Sequence, residues 1–423
     1  MKRCRKLFYL IPAFAVMIFV GCSNKGRSSE NVDYEYSDYV FDNDAPQYYM
    51  SNSSAAAPSG YYFIGDAAIS TGSERFLYYF DMVNKSVMPL CTKLNCEHNS
   101  QDCDAYVSDK SRVTGGLWYY NNRLYMIERT DEKDLLVSYD KTGRDKKTEA
   151  VLSVNGMSVV SSRQRACFSH GKLYYILTSE KTQYLYYVQV GTNTQPQFIK
   201  EYSTVYGIRE TITLYPVGEK VYVKLVSGIT DVTNDYILES IDINDNNVSK
   251  VYDYMSDGSI FRGEADDWNN GAYIDESGNM YFISLTEDSY ILNKMNTVSK
   301  DNEEIFVIDL SQDTGKKEAY TDFLGIDDKY IYILERVDFS VAENRKNKEL
   351  KNKLDILDTK GNIVDVIEFT TNDKYAKENQ VGTEGNGLQF DFFNGDSRYM
   401  LFAVEGYSNC LLYTSPSPRD RQK

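Results

Sequence analysis

One short phrase recurs along the chain and constrains its fold more than any other feature. It is a tight polar turn followed at once by an aromatic and β-branched strand, and its clearest copy spans residues 169–177. Further copies occur at broadly similar intervals from the front of the chain to near its end. The second residue after each turn is Tyr62, Tyr125, Tyr174, Tyr222, Tyr281, Ile331 or Met400.

A second phrase alternates with the first, and together they define a unit of four short strands. It is a strand that ends in Asp before a turn, because Asp can cap its own turn. Its copies end at Asp81, Asp140, Asp242, Asp309 and Asp358. Repeats of about 40–50 residues built from short strands are typical of a β-propeller, with one unit per blade. The sequence therefore predicts an all-β propeller of about seven (six to eight) four-stranded antiparallel blades, the last of them truncated.

The connections between the predicted strands sort by face. In an up-and-down blade the first and third connections lie on one face, and here these are all short. The long connections fall on the other face, which we predict to be the working face, since binding residues concentrate in loops. These long connections are residues 91–114, 254–270, 287–302, 336–352 and 371–387.

Asp266, Asp267 and Trp268 lie in one of these connections and are candidate ligand-binding residues. Acid and aromatic side chains together can bind a sugar. Chance placement on an acidic surface is the plainer interpretation of the same residues.

Residues 1–22 have the pattern of a processed leader. A basic start is followed by an unbroken apolar run, residues 7–20, which is shorter than the roughly 20 residues needed to span a bilayer. Residues 19–22, Phe-Val-Gly-Cys, resemble a bacterial lipobox, in which Cys22 would carry the lipid. The alternative is an ordinary secretory signal. Residues 23–59 are polar and predict a flexible tether, so the protein is expected to lie outside the cytoplasm, anchored to the cell membrane by lipid alone.

The end of the chain departs from the repeat. Residues 410–423 begin with the run Cys-Leu-Leu-Tyr-Thr-Ser-Pro-Ser-Pro-Arg-Asp, which resembles the in-frame translation of a transposase-type sequencing adapter. A natural disordered tail is the alternative. The propeller is therefore assigned to residues 60–409, incomplete at its C-terminal end.

Charge and composition argue against nucleic-acid binding and against histidine-dependent catalysis. The formal charge is −16, and the segment 1–22 carries four basic and no acidic side chains, which leaves −16 − 4 = −20 on the remainder. Such a chain repels nucleic acid, so no nucleic-acid partner is predicted. Only two histidines, His98 and His170, are present, and neither stands in a catalytic motif. No catalytic residue is assigned, and the sequence leans against an enzyme without excluding one.

Cys91, Cys96, His98 and Cys103 form the one local group of soft metal ligands. Three thiolates and one imidazole satisfy the tetrahedral demand of a structural zinc ion and leave no position for catalytic water. Disulfides are the main alternative in an exported protein, either within this group or with Cys167, and free thiols are the third. One structural zinc is thus the single cofactor considered, and in either case the group is expected to fix a long loop between the first two blades.

The lipobox, the Tyr-Tyr strands and the segment from Cys91 to Ala105 together resemble a group of β-propeller surface lipoproteins of Gram-positive bacteria. The resemblance covers residues 1–409 and implies a surface-anchored propeller with no assigned reaction. The expected function is a binding or scaffold protein for a glycan, a peptide or a surface protein. The alternative is a carbohydrate-active hydrolase or lyase that uses carboxylates from the long loops.

Overall fold

The computed structural model describes most of the repeat region. The described residues are 54–66, 75–84, 86–107, 116–160, 165–179, 182–203, 211–230, 233–254, 273–275, 277–285, 289–309, 320–326, 330–336, 352–368, 389–395, 399–405 and 411–416. Cys22, Asp266, Asp267 and Trp268 lie outside them. Within these ranges no helix is long and apolar enough to cross a membrane.

The strands of blades 1 to 3 follow one another as antiparallel meanders. Blade 1 contains β1 (Ser54–Ala57), β2 (Gly60–Asp66), β3 (Arg75–Asp81), β4 (Ser86–Pro89) and the short β5 (Tyr106–Val107). Blade 2 contains β6 (Leu117–Tyr120), β7 (Arg123–Arg129), β8 (Asp134–Asp140) and β9 (Lys147–Val151). Blade 3 contains β10 (Ser158–Val159), β11 (Ala166–Ser169), β12 (Lys172–Ser179), β13 (Thr182–Gln189) and β14 (Asn193–Ser203).

Blades 4 to 6 have the same plan, and a seventh sheet follows them. Blade 4 contains β15 (Thr211–Val217), β16 (Lys220–Thr230), β17 (Thr233–Asp242) and β18 (Val248–Tyr254). Blade 5 contains β19 (Tyr273–Ile274), β20 (Asn279–Leu285), β21 (Ser289–Asn296) and β22 (Asn302–Asp309). Blade 6 contains β23 (Tyr320–Ile326), β24 (Tyr330–Arg336), β25 (Lys353–Asp358) and β26 (Ile363–Glu368). The seventh sheet contains β27 (Gln389–Gly395), β28 (Tyr399–Glu405) and β29 (Leu411–Pro416).

These sheets form a β-propeller with six antiparallel blades of four strand positions each, so the predicted count of about seven such blades is not supported. Blades 1 and 3 have five strands because β4 and β5 both pair with β3, and β10 and β11 both pair with β12. The seventh sheet has three strands, and its third strand lies in the adapter-like segment. The first strand, β1, lies beside both β6 and β27, as the innermost strand of a closed ring does. All seven copies of the first phrase lie in the second strand of their sheet, counted outward from the centre of the ring.

The Asp-capped turns join the third and fourth strands of the blades, as the second phrase predicts. Oδ1 of Asp140 accepts hydrogen bonds from the backbone N–H groups of Thr142 and Arg144, each at 2.9 Å. In blade 5 the capping residue is Asn296. The predicted turn at Asp309 is wrong, because Asp309 ends the outermost strand β22.

Two of the predicted long connections are also wrong. Residues 91–114 are not one connection between blades 1 and 2, because the short strand β5 within them pairs with β3 of blade 1. Residues 287–302 contain β21 and the short turn that follows it, rather than a long loop. The alternation of this strand is difficult to recognise because Asn293, a polar residue, is buried between Leu292 and Met295. Its side-chain amide donates to Oγ of Ser284 at 2.9 Å, which satisfies the buried polar group.

The hydrophobic core lies between the blades, and the repeated tyrosines contribute to it. Tyr175 is fully buried and its hydroxyl donates to the backbone oxygen of Leu152 in blade 2 at 3.1 Å. The hydroxyl of Tyr62 likewise donates to the backbone oxygen of Lys141 in blade 2 at 2.8 Å. A tyrosine can therefore fill the space between two blades with its ring and bond the neighbouring blade with its hydroxyl.

Candidate metal centre

The four predicted ligands lie in an excursion that interrupts the outermost strand of blade 1. Strands β4 and β5 pair with different parts of the same strand, β3. Between them, the N–H of Leu77 donates to the oxygen of Ala105, and the oxygen of Leu77 accepts from the N–H of Leu90, both at 2.8 Å. Residues 91–104, here called the cysteine loop, therefore leave and rejoin the sheet at one position, opposite Leu77.

Local turns fold the cysteine loop back on itself. Asn95 and His98 have φ angles of 60° and 52°, a left-handed conformation that Asn tolerates better than most residues. The N–H of Cys103 donates to the oxygen of Ser100 at 3.1 Å and closes a further turn. Nζ of Lys93 lies 3.2 Å from a carboxylate oxygen of Asp104, but both groups are substantially exposed, so this pair contributes little stability.

The ligand atoms of Cys91, Cys96, His98 and Cys103 converge on one point. All four lie within 4.8 Å of one another, and Nδ1 of His98 is 3.3 Å from Sγ of Cys103. Zinc–sulfur bonds of about 2.3 Å in a tetrahedron put the sulfur atoms about 3.8 Å apart. The arrangement can hold one metal ion with four protein ligands.

The surroundings of the thiols shift their pKa values in opposite directions. Burial opposes ionisation of Cys91, but hydrogen bonds from the N–H groups of Lys93 and Asp104 and from the neighbouring thiols lower its pKa. Burial, together with the nearby Cys91 and Cys96, raises the pKa of Cys103 to about 12. A bound divalent cation supplies the positive charge that lets three adjacent thiols ionise together.

All four described cysteines, including Cys167, are unpaired. Cys167 lies on β11, buried in the core between blades 3 and 4, and it is not part of the metal-ligand group. Burial raises the pKa of this thiol, as expected for a structural cysteine.

Blade 6 contains a buried group of charges that no sequence motif predicts. Asp355 and Glu335 are 0% and 7% exposed, and Nζ of Lys353 lies 3.1 Å from the first and 2.7 Å from the second. Burial raises the pKa of Asp355 to about 6, helped by the hydrogen bond that its protonated carboxyl group donates to Glu335 and by the negative charge of Glu335. Glycoside hydrolysis needs two carboxyl groups about 5 Å or more apart, with room for a sugar between them, so this hydrogen-bonded pair does not suit it.

Comparison with known proteins assigns the chain to no family. No family model matches the chain, and no curated protein does. An oligogalacturonate lyase in complex with manganese is similar over 90% of this chain and 91% of its own, at 11% identity and a TM-score of 0.48. An oligogalacturonate lyase from Vibrio parahaemolyticus has 14% identity and a TM-score of 0.48, over 90% of this chain and 93% of its own. The β-propeller domain of the trilobed protease from Pyrococcus furiosus has 10% identity and a TM-score of 0.46, over 87% and 95%. At these identities the likeness concerns the propeller fold alone.

Proposed function

We propose that the protein is a lipid-anchored extracytoplasmic β-propeller that binds a glycan, a peptide or a surface protein through its long-connection face. The observation that supports this is the unequal length of the connections. Between the described strands, the first-to-second and third-to-fourth connections within a blade each span six residues or fewer. On the other face, the connections from β18 to β19, from β24 to β25 and from β26 to β27 are much longer, spanning 255–272, 337–352 and 369–388. Loops on one face of a rigid scaffold are where binding residues concentrate.

The lipobox and the tether support the proposed location. Lipid on Cys22 would hold the chain at the membrane, and residues 23–53 would separate the propeller from the lipid surface, since residues 54–57 of the predicted tether form β1 of blade 1. The net charge left on residues 23–423 is −16 − 4 = −20, which disfavours binding to anionic headgroups, so the membrane contact would be through the lipid alone.

The binding function is tested with glycan and peptide arrays, using the chain from Ser23 onward. Residues 255–272, 337–351 and 369–388 are replaced one at a time by short Gly-Ser linkers. For a ligand that the parent chain binds on the array, we expect at least one replacement to lower the binding affinity by about tenfold or more. The control is Val298→Ser, since Val298 is 88% exposed in the turn between β21 and β22 on the opposite face. Cleavage of an array member would establish the hydrolase or lyase alternative instead.

We also propose that the metal is zinc and that its role is structural. Three thiolates with one imidazole suit zinc, and four protein ligands leave no open position for chemistry. The purified chain should carry about one zinc ion per molecule. Elemental analysis with intact mass under non-reducing conditions checks this, since disulfides would instead give no metal and a loss of two hydrogens per bridge.

A matched pair of variants tests the ligand assignment. His98→Ala should lower the zinc content. His170→Ala should leave it unchanged, because the only other histidine lies in the turn between β11 and β12 of blade 3. Equal zinc content in the two variants would exclude His98 as a ligand.

We further propose that β27 and β28 begin a seventh blade. They pair as the first two strands of the other blades do, and β29 belongs to the adapter-like segment. Sequencing the gene beyond the codon for Asn409 tests this, and a continuation without two further strand patterns would contradict it.

A further inference from the structure

The hydrophobic clusters of the described residues divide into two kinds. Five of them join consecutive blades, from the pair 1–2 to the pair 5–6. Two belong to single blades at the ends of the series, one in blade 1 and one in blade 6. We call the cluster in blade 1 the seam cluster. It contains Ala56, Tyr61, Phe63, Phe76, Tyr78, Phe80, Met82, Cys103 and Ala105.

The seam cluster lies on the side of blade 1 that faces away from blade 2. Successive strand residues point to opposite faces. On β1, Ala55 and Ala57 belong to the core shared with blade 2, whereas Ala56 belongs to the seam cluster. Since β1 lies between β6 and β27, this second side faces the seventh sheet. The junction of blade 1 with the seventh sheet is here called the seam.

The metal ligands themselves cover the seam cluster. Cys103 is 4% exposed and Ala105 is 2% exposed, both within the cluster, and Cys91 and Cys96 pack against it. His98 is half-buried and is not a member. The sulfur atoms that converge on the metal position therefore also exclude water from the aromatic side chains of β2 and β3.

The base of the cysteine loop is fixed on the other side, against blade 2. Nε of Arg144 donates to Oγ1 of Thr92 at 2.7 Å. Leu90 belongs to the core shared with blade 2 and contacts the turn at Gly143. The loop is thus held by blade 2 at its base, passes around the outer edge of blade 1 and covers the seam side with its cysteines.

We infer that the metal centre is a closure element for the ring, which keeps the cysteine loop over the seam side of blade 1. This inference rests on the proposed metal site. A bound ion joins four ligands that all lie between Cys91 and Cys103, so the covering surface is ordered at little further entropic cost. Without the ion, the loop is held over the cluster by its own turns, by the packing of Cys103 and by exposed contacts such as that between Lys93 and Asp104, which contribute little stability. The seam cluster then becomes accessible to water when the loop opens.

Hydrogen exchange followed by mass spectrometry on the zinc-loaded chain tests the inference. After zinc removal with a chelator, amide exchange should become about tenfold faster or more in β2, β3, β27 and β28. Exchange in β12 and β16, which lie in the cores of blades 3 and 4, should not change. Adding zinc back should restore protection. The same local pattern is expected for His98→Ala, which removes a ligand without removing a member of the seam cluster.

Cys167→Ala is the control, because it removes a buried sulfur between blades 3 and 4 and leaves the four ligands in place. It should not expose the seam. If zinc binds but its removal changes exchange nowhere, or equally in every blade, the closure role is wrong and the metal site remains. If no zinc binds, both are wrong. If His98→Ala does not fold, the closure role is tested by zinc removal and zinc addition on the parent chain alone.

Discussion

Asp355 is a buried acid whose protonation is coupled to the stability of blade 6. Burial and the neighbouring Glu335 raise its pKa from 3.8 to about 6 in the folded protein. Between these values the folded state holds a proton that the unfolded state has released. The stability contributed by this group is therefore present below about pH 4 and is lost as the pH rises towards 6.

We expect Asp355→Asn to remove this dependence, because asparagine does not titrate. The measurement is urea unfolding of parent and variant from pH 4 to 7. The difference in unfolding free energy should shift in favour of the variant by about 1–2 kcal/mol as the pH rises through this window. The control is Asp301→Asn at an exposed turn position, and parallel pH profiles for parent and Asp355→Asn would contradict the assignment.

At the scale of single elements, the turn between β25 and β26 fits tightly against the outermost strand of blade 5. Gly361 in this turn has φ of 85°, and a Cβ placed on it would lie 1.7 Å from the backbone oxygen of Ile305. Gly191, in the turn between β13 and β14, has φ of 77° but no atom within 4 Å of the corresponding point. A comparison of alanine substitutions at these two glycines therefore distinguishes the cost of backbone strain from the cost of a steric collision.

Gly361→Ala should destabilise the protein more than Gly191→Ala. Each substitution forces a side chain into the left-handed region, at about 1 kcal/mol. Only the first also pushes a blade 6 turn away from blade 5, at a further cost of about 2 kcal/mol or more. Denaturant unfolding measures both, and equal losses would mean that the turn can move without cost.

The two local phrases predict elements well because each depends on residues near in sequence. The turn at Asn121 and Asn122, with φ angles of 45° and 62°, has the left-handed pair that favours a two-residue hairpin. The pattern fails where burial is set by distant partners. Asn293 interrupts the apolar alternation of β21 because Ser284, on the neighbouring strand, satisfies its amide.

For the candidate site, the spacing of the four ligands identifies the group, but not its place in the fold. The split of the outermost strand into β4 and β5 depends on hydrogen bonds to Leu77, which lies on β3, well before the cysteine loop. The side of blade 1 that the cysteines cover is likewise fixed by Phe76 and Tyr78 on β3. Neither contact is encoded in the loop's own sequence, and the buried pair of Glu335 and Asp355 has no local signature at all.

At the scale of the whole molecule, the proposed tether would meet the ring at blade 1. The chain reaches β1 at Ser54 after the polar residues 23–53, so the first strand of blade 1 would begin at the end of the tether. Because β1 lies on the inner side of the ring beside β6 and β27, any pull on the tether would act next to the seam. A cysteine loop fixed by the proposed metal ion would lie where such a load arrives.

Replacing Cys22 by alanine should release the protein from membranes, because lipid on this residue is the proposed anchor. The apolar run 7–20 before it falls short of the roughly 20 residues that span a bilayer, so it should not hold the chain alone. Cell fractionation of Cys22→Ala, with Cys4→Ala as the matched control in the same leader, measures this. The first variant should appear in the medium and the second should stay with the membrane. Retention of both would mean that the leader is an uncleaved anchor.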